Sequence, residues 1–97
     1  MSVTEKPTRI PPYRVDLGKS GREWIVFDYD GAFFRVAYYR PWREGDTRRG
    51  DYSRFSAQRS TFHQALLVAF GEGNARHDAS VIEHYVRSTA WGADLPE

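Results

Sequence analysis

Two carboxylates stand close together in "WIVFDYDGAFFRVAYY", Trp24 to Tyr39. Asp28 and Asp30 are separated by Tyr29, follow an apolar run, and are followed by Gly31. Such a pair could divide the work of an acidic catalytic site, or hold a divalent cation. The same residues could also be the corner of a hairpin, because Asp tolerates the left-handed backbone region and Gly occupies it freely. The flanking pattern favours the corner. With Asp30-Gly31 as a two-residue turn, Tyr29 faces Ala32, Phe27 faces Phe34, Ile25 faces Val36 and Glu23 faces Tyr38. One face then carries Ile25, Phe27, Phe34 and Val36 as a core stripe, and a register slip of one residue would destroy it.

"IVFDYDG" resembles the opening motif of haloacid dehalogenase-type phosphatases. That resemblance would make Asp28 the nucleophile and Asp30 the proton carrier, with magnesium between them. The chain departs from the pattern at Ala32, where the family carries Thr or Val, and it is too short for the family's Rossmann-like core. A calcium loop is excluded by the absence of the remaining ligands. His63, His77 and His84 form no metal-ligand spacing. Ser53, Ser56 and Ser60 lack a nucleophile turn, and "GEG" at 71–73 has no following Lys-Ser/Thr. The Arg49-Gly50-Asp51 tripeptide is too short to carry meaning. The expectation is a protein that is not an enzyme and takes no cofactor or metal.

The elements that would position any site are few. Residues 1–12, with Pro7, Pro11 and Pro12, read as a flexible leader, 13–92 as a single α+β domain, and 93–97 as a loose tail. "YRVDL", Tyr13 to Leu17, alternates as a short strand, and "GKSG" is turn material. The stretch Trp24–Tyr39 supplies two more strands. The segment 40–60 reads mainly as a long loop after Pro41, with Tyr52 and Phe55 allowing a short fourth strand. "TFHQALLVAFG" is a helix capped by Thr61, with Phe62, Leu66, Ala69 and Phe70 inward and Gly71 as terminator. Asp78 caps a second helix, with Val81, Ile82, Tyr85, Val86 and Thr89 inward and Glu83, Arg87 and Ser88 outward. Trp91 packs at its end. The fold class is α+β: a three-stranded antiparallel β-meander, then two α-helices on one sheet face.

Ninety-seven residues, 40% of them apolar and 28% charged, suit one small folded domain. Cysteine is absent, which excludes disulfides and thiolate chemistry. The opening "MSVTEKPTRIPPY" is too polar for a signal peptide, and no stretch is apolar enough to span a membrane, so the expected location is cytoplasmic. The net charge of +1 conceals a basic middle: residues 35–59 hold seven Arg against Glu44, Asp46 and Asp51. Aromatic side chains interleave with these Arg residues, and the second sheet face mixes Trp24, Val26, Phe33 and Tyr39 with Arg22, Asp28 and Arg35. The N-terminal leader or the long loop would cover that face in a purely structural reading. In a functional reading it binds, since Trp, Tyr and Arg are enriched at interface hot spots.

The expected function is therefore that of a small accessory or inhibitory protein, of bacterial or phage type, that binds another protein. The contact residues would be Trp24, Arg35, Tyr39, Trp42, Arg43, Arg48 and Arg49. Homodimerisation through a sheet edge or the mixed aromatic face is a further expectation. The alternative is nucleic-acid binding by the same segment, with Arg on phosphates and rings on bases. In element order alone that alternative is similar to plant AP2-type and integrase arm-binding domains. The near-zero total charge weighs against it.

Overall fold

A computed structural model describes residues 10–95 of the chain. Strand β1 spans Ile10–Asp16, β2 Trp24–Tyr29, β3 Phe34–Pro41 and β4 Tyr52–Arg59. They form one antiparallel sheet in the order β1-β2-β3-β4. Helices α1, Phe62–Glu72, and α2, Ala79–Arg87, follow, with a short 3-10 turn at Gly92–Asp94. The meander followed by two helices is the expected α+β architecture, and the fourth strand is full length. The leader read over 1–12 lies outside the described residues up to position 9. The strand itself begins at Ile10, with its register shifted between Ile10 and Tyr13, where two prolines offer no N–H.

The β2–β3 hairpin keeps its expected faces but not its expected register. Ile25 pairs with Tyr38, Phe27 with Val36 and Tyr29 with Phe34, a displacement of two residues from the sequence reading. The Asp30 side chain explains this. Its Oδ1 accepts from the backbone N–H of Ala32 at 2.9 Å and of Phe33 at 2.8 Å, closing a loop of residues 30–33 instead of a two-residue turn. Those two N–H bonds, Phe33's foremost, hold the Asp30 carboxyl below the ordinary carboxylate range, with Arg35 adding to the effect. A slip of two preserves side-chain alternation, so Ile25, Phe27, Phe34 and Val36 are all buried as expected. Gly31 adopts φ +98° at the corner. Gly31→Val should destabilise the fold by about 1–3 kcal/mol, read from the denaturant midpoint, because a β-branched residue resists positive φ.

Pro41 does end β3. Trp42 N–H donates to Asp51 O at 3.1 Å, so the alternation turns the Pro41 nitrogen toward the β2 side, past the start of that strand. No ladder bond is lost there.

Helix α1 starts as read: the Thr61 hydroxyl accepts from Gln64 N–H at 3.2 Å, and Phe62, Ala65, Leu66, Ala69 and Phe70 are buried. Its end differs. The helix runs through Gly71, and Gly73 caps it while Asn74 takes the left-handed conformation. Gly73 is required by packing, since a Cβ there would lie 2.6 Å from the Tyr38 ring.

Helix α2 is capped by Asp78 as expected, but its inner face is narrower than its apolar stripe. Ala79 and Val86 are buried and Ile82 half-buried, whereas Val81 and Tyr85 are exposed. Glu83 is turned inward rather than out. It meets His63 of α1 at 2.9 Å and Arg87 at 3.1 Å, tying the two helices together. Trp91 stacks on Tyr13 at 5.5 Å and meets Phe27 edge-on at 4.9 Å. The packed unit reaches Leu95, a residue read from sequence as loose tail and here buried in the core.

Candidate functional site

Alternation along four strands builds the sheet face opposite the helices. Its cross-strand rows are Asp16–Trp24–Tyr39–Arg54, Arg14–Val26–Ala37–Ser56 and Asp28–Arg35–Gln58. Both helices contribute to the core on the other side. The Trp24 and Tyr39 rings stack at 4.9 Å with 10° between planes, and Tyr52 touches both, at 5.8 and 5.7 Å. Arg14 lies 4.5 Å from the Trp24 ring centre, so Trp24 sits between Tyr39 and a guanidinium. Beside this cluster runs an open cleft of about 290 Å³ bordered by Val26, Asp28, Arg35, Ala37, Ser56 and Gln58. Small side chains at Ala37 and Ser56 leave the space between the larger residues of neighbouring rows. Asp28 Oδ1 is buried at its rim with no hydrogen-bond partner among the described residues. An orphaned carboxylate oxygen of this kind is unfavourable until a donor reaches it.

The β3–β4 loop, residues 42–51, continues the site. It is organised around Asp46, whose carboxylate accepts from Arg40 at 2.6 Å, from Ser53 Oγ at 2.8 Å and from the Arg43 N–H at 2.9 Å. Arg40, foremost, then Ser53 and the Arg43 amide, hold the Asp46 carboxyl well below the usual range. Trp42 Nε1 donates to Asp46 O at 3.1 Å, and Arg48 lies 4.7 Å from the Trp42 ring centre. Arg49 and Tyr52 exchange backbone hydrogen bonds, which joins the loop to the aromatic cluster through Tyr52.

The sequence-derived residues thus fall in two adjoining places. Trp24, Arg35 and Tyr39 lie on the sheet face. Trp42, Arg43, Arg48 and Arg49 lie in the loop at its end. Several of the Arg residues counted in the basic middle are already neutralised. Arg35 pairs with Asp30 at 2.8 Å, Arg40 is buried against Asp46, and Arg48 is 3.6 Å from Asp51. The side chains of Arg43, Arg49 and Arg54 are exposed and without an ion-pair partner among the described residues. Sequence reasoning missed Arg14 and the orphaned Asp28, and it counted Tyr52 and Arg54 in the Arg-aromatic segment without naming them as contacts. The alternation of "YSRFSAQR" held the signal for Tyr52 and Arg54, since Ser53, Phe55 and Ala57 face the core as one set.

Among the described residues no group of three His, Asp or Glu side chains converges on a metal position, and no helix is long and apolar enough to cross a membrane. His63 and His77 are engaged by Glu83 and Glu23 as packing ties between elements. The arrangement sets flat rings, forked donors and one acceptor without a partner among the described residues along a shallow cleft. No protein-family model, curated protein or solved structure matches the chain.

Proposed function

We propose that this chain is a small, non-enzymatic accessory or inhibitory protein of the cytoplasm that binds another protein through the sheet face and the adjoining loop. The observation that carries the reading is the state of the Trp24 ring, held between Tyr39 and Arg14 on the same sheet face as the Asp28 oxygen that has no partner among the described residues. A base-stacking platform needs a free ring face, and this one is taken. A carboxylate awaiting a donor suits a protein surface, whose amides, hydroxyls and cationic side chains all donate, and repels phosphate. Large, preordered aromatic groups flanked by Arg are the composition of interface hot spots.

The test is affinity capture from the source cell with a nuclease-treated lysate at low and high salt. One defined protein should be retained at high salt, because apolar burial is not screened. It should be lost with Trp24→Ala/Tyr52→Ala, a variant whose unchanged circular dichroism shows that it folds. Recovery of nucleic acid alone from a parallel untreated lysate, with affinity falling by a log–log slope near −0.9 per phosphate contact, would replace this reading with the nucleic-acid one.

A further inference from the structure

A different surface of the molecule, the open edge of β1, carries its own pairing instructions. Leu17 N–H donates to Glu23 O at 2.8 Å, and the β1–β2 register continues through Val15↔Ile25 and Tyr13↔Phe27. In an antiparallel ladder these alternate residues turn their backbone groups to β2. The N–H and C=O of Arg14 and Asp16 therefore point to the open side, where the sheet order places no further strand among the described residues. Beneath that edge, on the helix side, Val15, Leu17, Val81, Ile82 and Tyr85 border an open groove of about 300 Å³. Val81 and Tyr85 lie one helical turn apart and are 62% and 53% exposed, the part of the α2 stripe that the core does not take up.

We propose that the occupant of this edge is a second copy of the same chain, paired antiparallel through β1 with Val15 on the two-fold axis. Charge selects both the partner and the register. The hydrogen-bonded pairs of such a ladder must join residues with outward backbone groups, which leaves Arg14 opposite itself, Asp16 opposite itself, or Arg14 opposite Asp16 of the second copy. The first two registers oppose like charges and are unfavourable; the third joins opposite charges on both sides of the axis. The third also brings Tyr13 opposite Leu17 and Val15 opposite Val15 on the helix side, where both copies' Val81 and Tyr85 then gain cover. Arg14 and Asp16 already attract within one strand at 2.9 Å, so the dimer exchanges one pairing for its cross-strand equivalent. Pro11 and Pro12 end the ladder, and the isologous contact closes on itself without leaving a β1 edge for a third chain.

Sedimentation equilibrium over a wide concentration range should give a species of twice the 11.2 kDa chain mass that dissociates on dilution. Arg14→Asp alone and Asp16→Arg alone should each be monomeric, because each variant opposes like charges in the paired register. Mixed together, these two variants should form a heterodimer, since every cross-strand pair then joins opposite charges. Amide exchange at Arg14 and Asp16 should slow as the wild-type concentration rises. A wild type that stays monomeric throughout would overturn the proposal. So would single variants that dimerise like the wild type, a mixture that stays monomeric, or Arg14 and Asp16 amides protected equally at every dilution, which would mean that the chain covers its own edge.

Discussion

Arg40→Ala should lower the free energy of folding by about 3–5 kcal/mol, the range for breaking a buried ion pair by removing one partner. Arg40 is only 2% exposed. Its guanidinium donates to Gly73 O at 2.7 Å, to Pro41 O at 3.1 Å and to both Asp46 oxygens, while it stacks 4.8 Å from the Phe55 ring centre. One side chain therefore fastens the end of α1, the end of β3 and the β3–β4 loop. Its removal strands the Gly73 carbonyl and unties Asp46 together. Arg40→Lys should recover only part of the loss, because an ammonium cannot reproduce the fork. Equilibrium urea unfolding measures both. The Asp46 carboxyl is lowered in the folded protein, so the stabilisation it reports is complete above the unfolded value of 3.8 and disappears as pH falls through the folded one. The gap between wild type and Arg40→Ala should accordingly be constant near neutrality and narrow in strong acid. A gap that widened on acidification would show that Arg40 acts through something other than Asp46.

Phe62→Ala should cost about 3–5 kcal/mol as well, through a cavity rather than a charge. Phe62 is fully buried at the start of α1, with its ring 5.1 Å from Phe27 and 6.0 Å from Phe34. It is the contact through which the first turn of the helix meets β2 and β3 at once. Leu67→Ala, on the exposed side of the same helix, should stay within about 0.5 kcal/mol of wild type. Similar losses for the two would mean that α1 is rotated about its axis.

What could be read from the sequence was what local periodicity encodes. The core stripe of Ile25, Phe27, Phe34 and Val36, the Thr61 and Asp78 caps, and the element order all follow from spacing within a few residues. The rest depended on side chains acting across the chain. Asp30 displaced the hairpin register by bonding two backbone amides, a choice that its identity permits but does not reveal. β4 looked like a loop because its inward row, Ser53, Phe55 and Ala57, holds only one large apolar side chain. That row fits where Arg40 and Asp46 already fill the space. Arg40 counted as one more surface charge until the loop brought Asp46 to it. The candidate site was legible as a composition of rings and guanidinium groups. The cleft and its orphaned Asp28 oxygen required the observed register of all four strands.

The strand order has a consequence for how the molecule comes into being. Every described strand pairs with its immediate neighbour in the chain, so each hairpin closes only a short stretch of backbone. During synthesis the sheet can assemble hairpin by hairpin, before the helices have emerged to pack on it. Until Phe62 and Leu66 arrive, one whole face of that sheet, with Ile25, Phe27 and Val36 at its centre, has nothing to pack against. Trp91, which packs on Tyr13 and Phe27, comes later still. A chain halted after Arg59 would thus be a paired sheet with a bare greasy side, a species that chaperones hold and that aggregates when they do not.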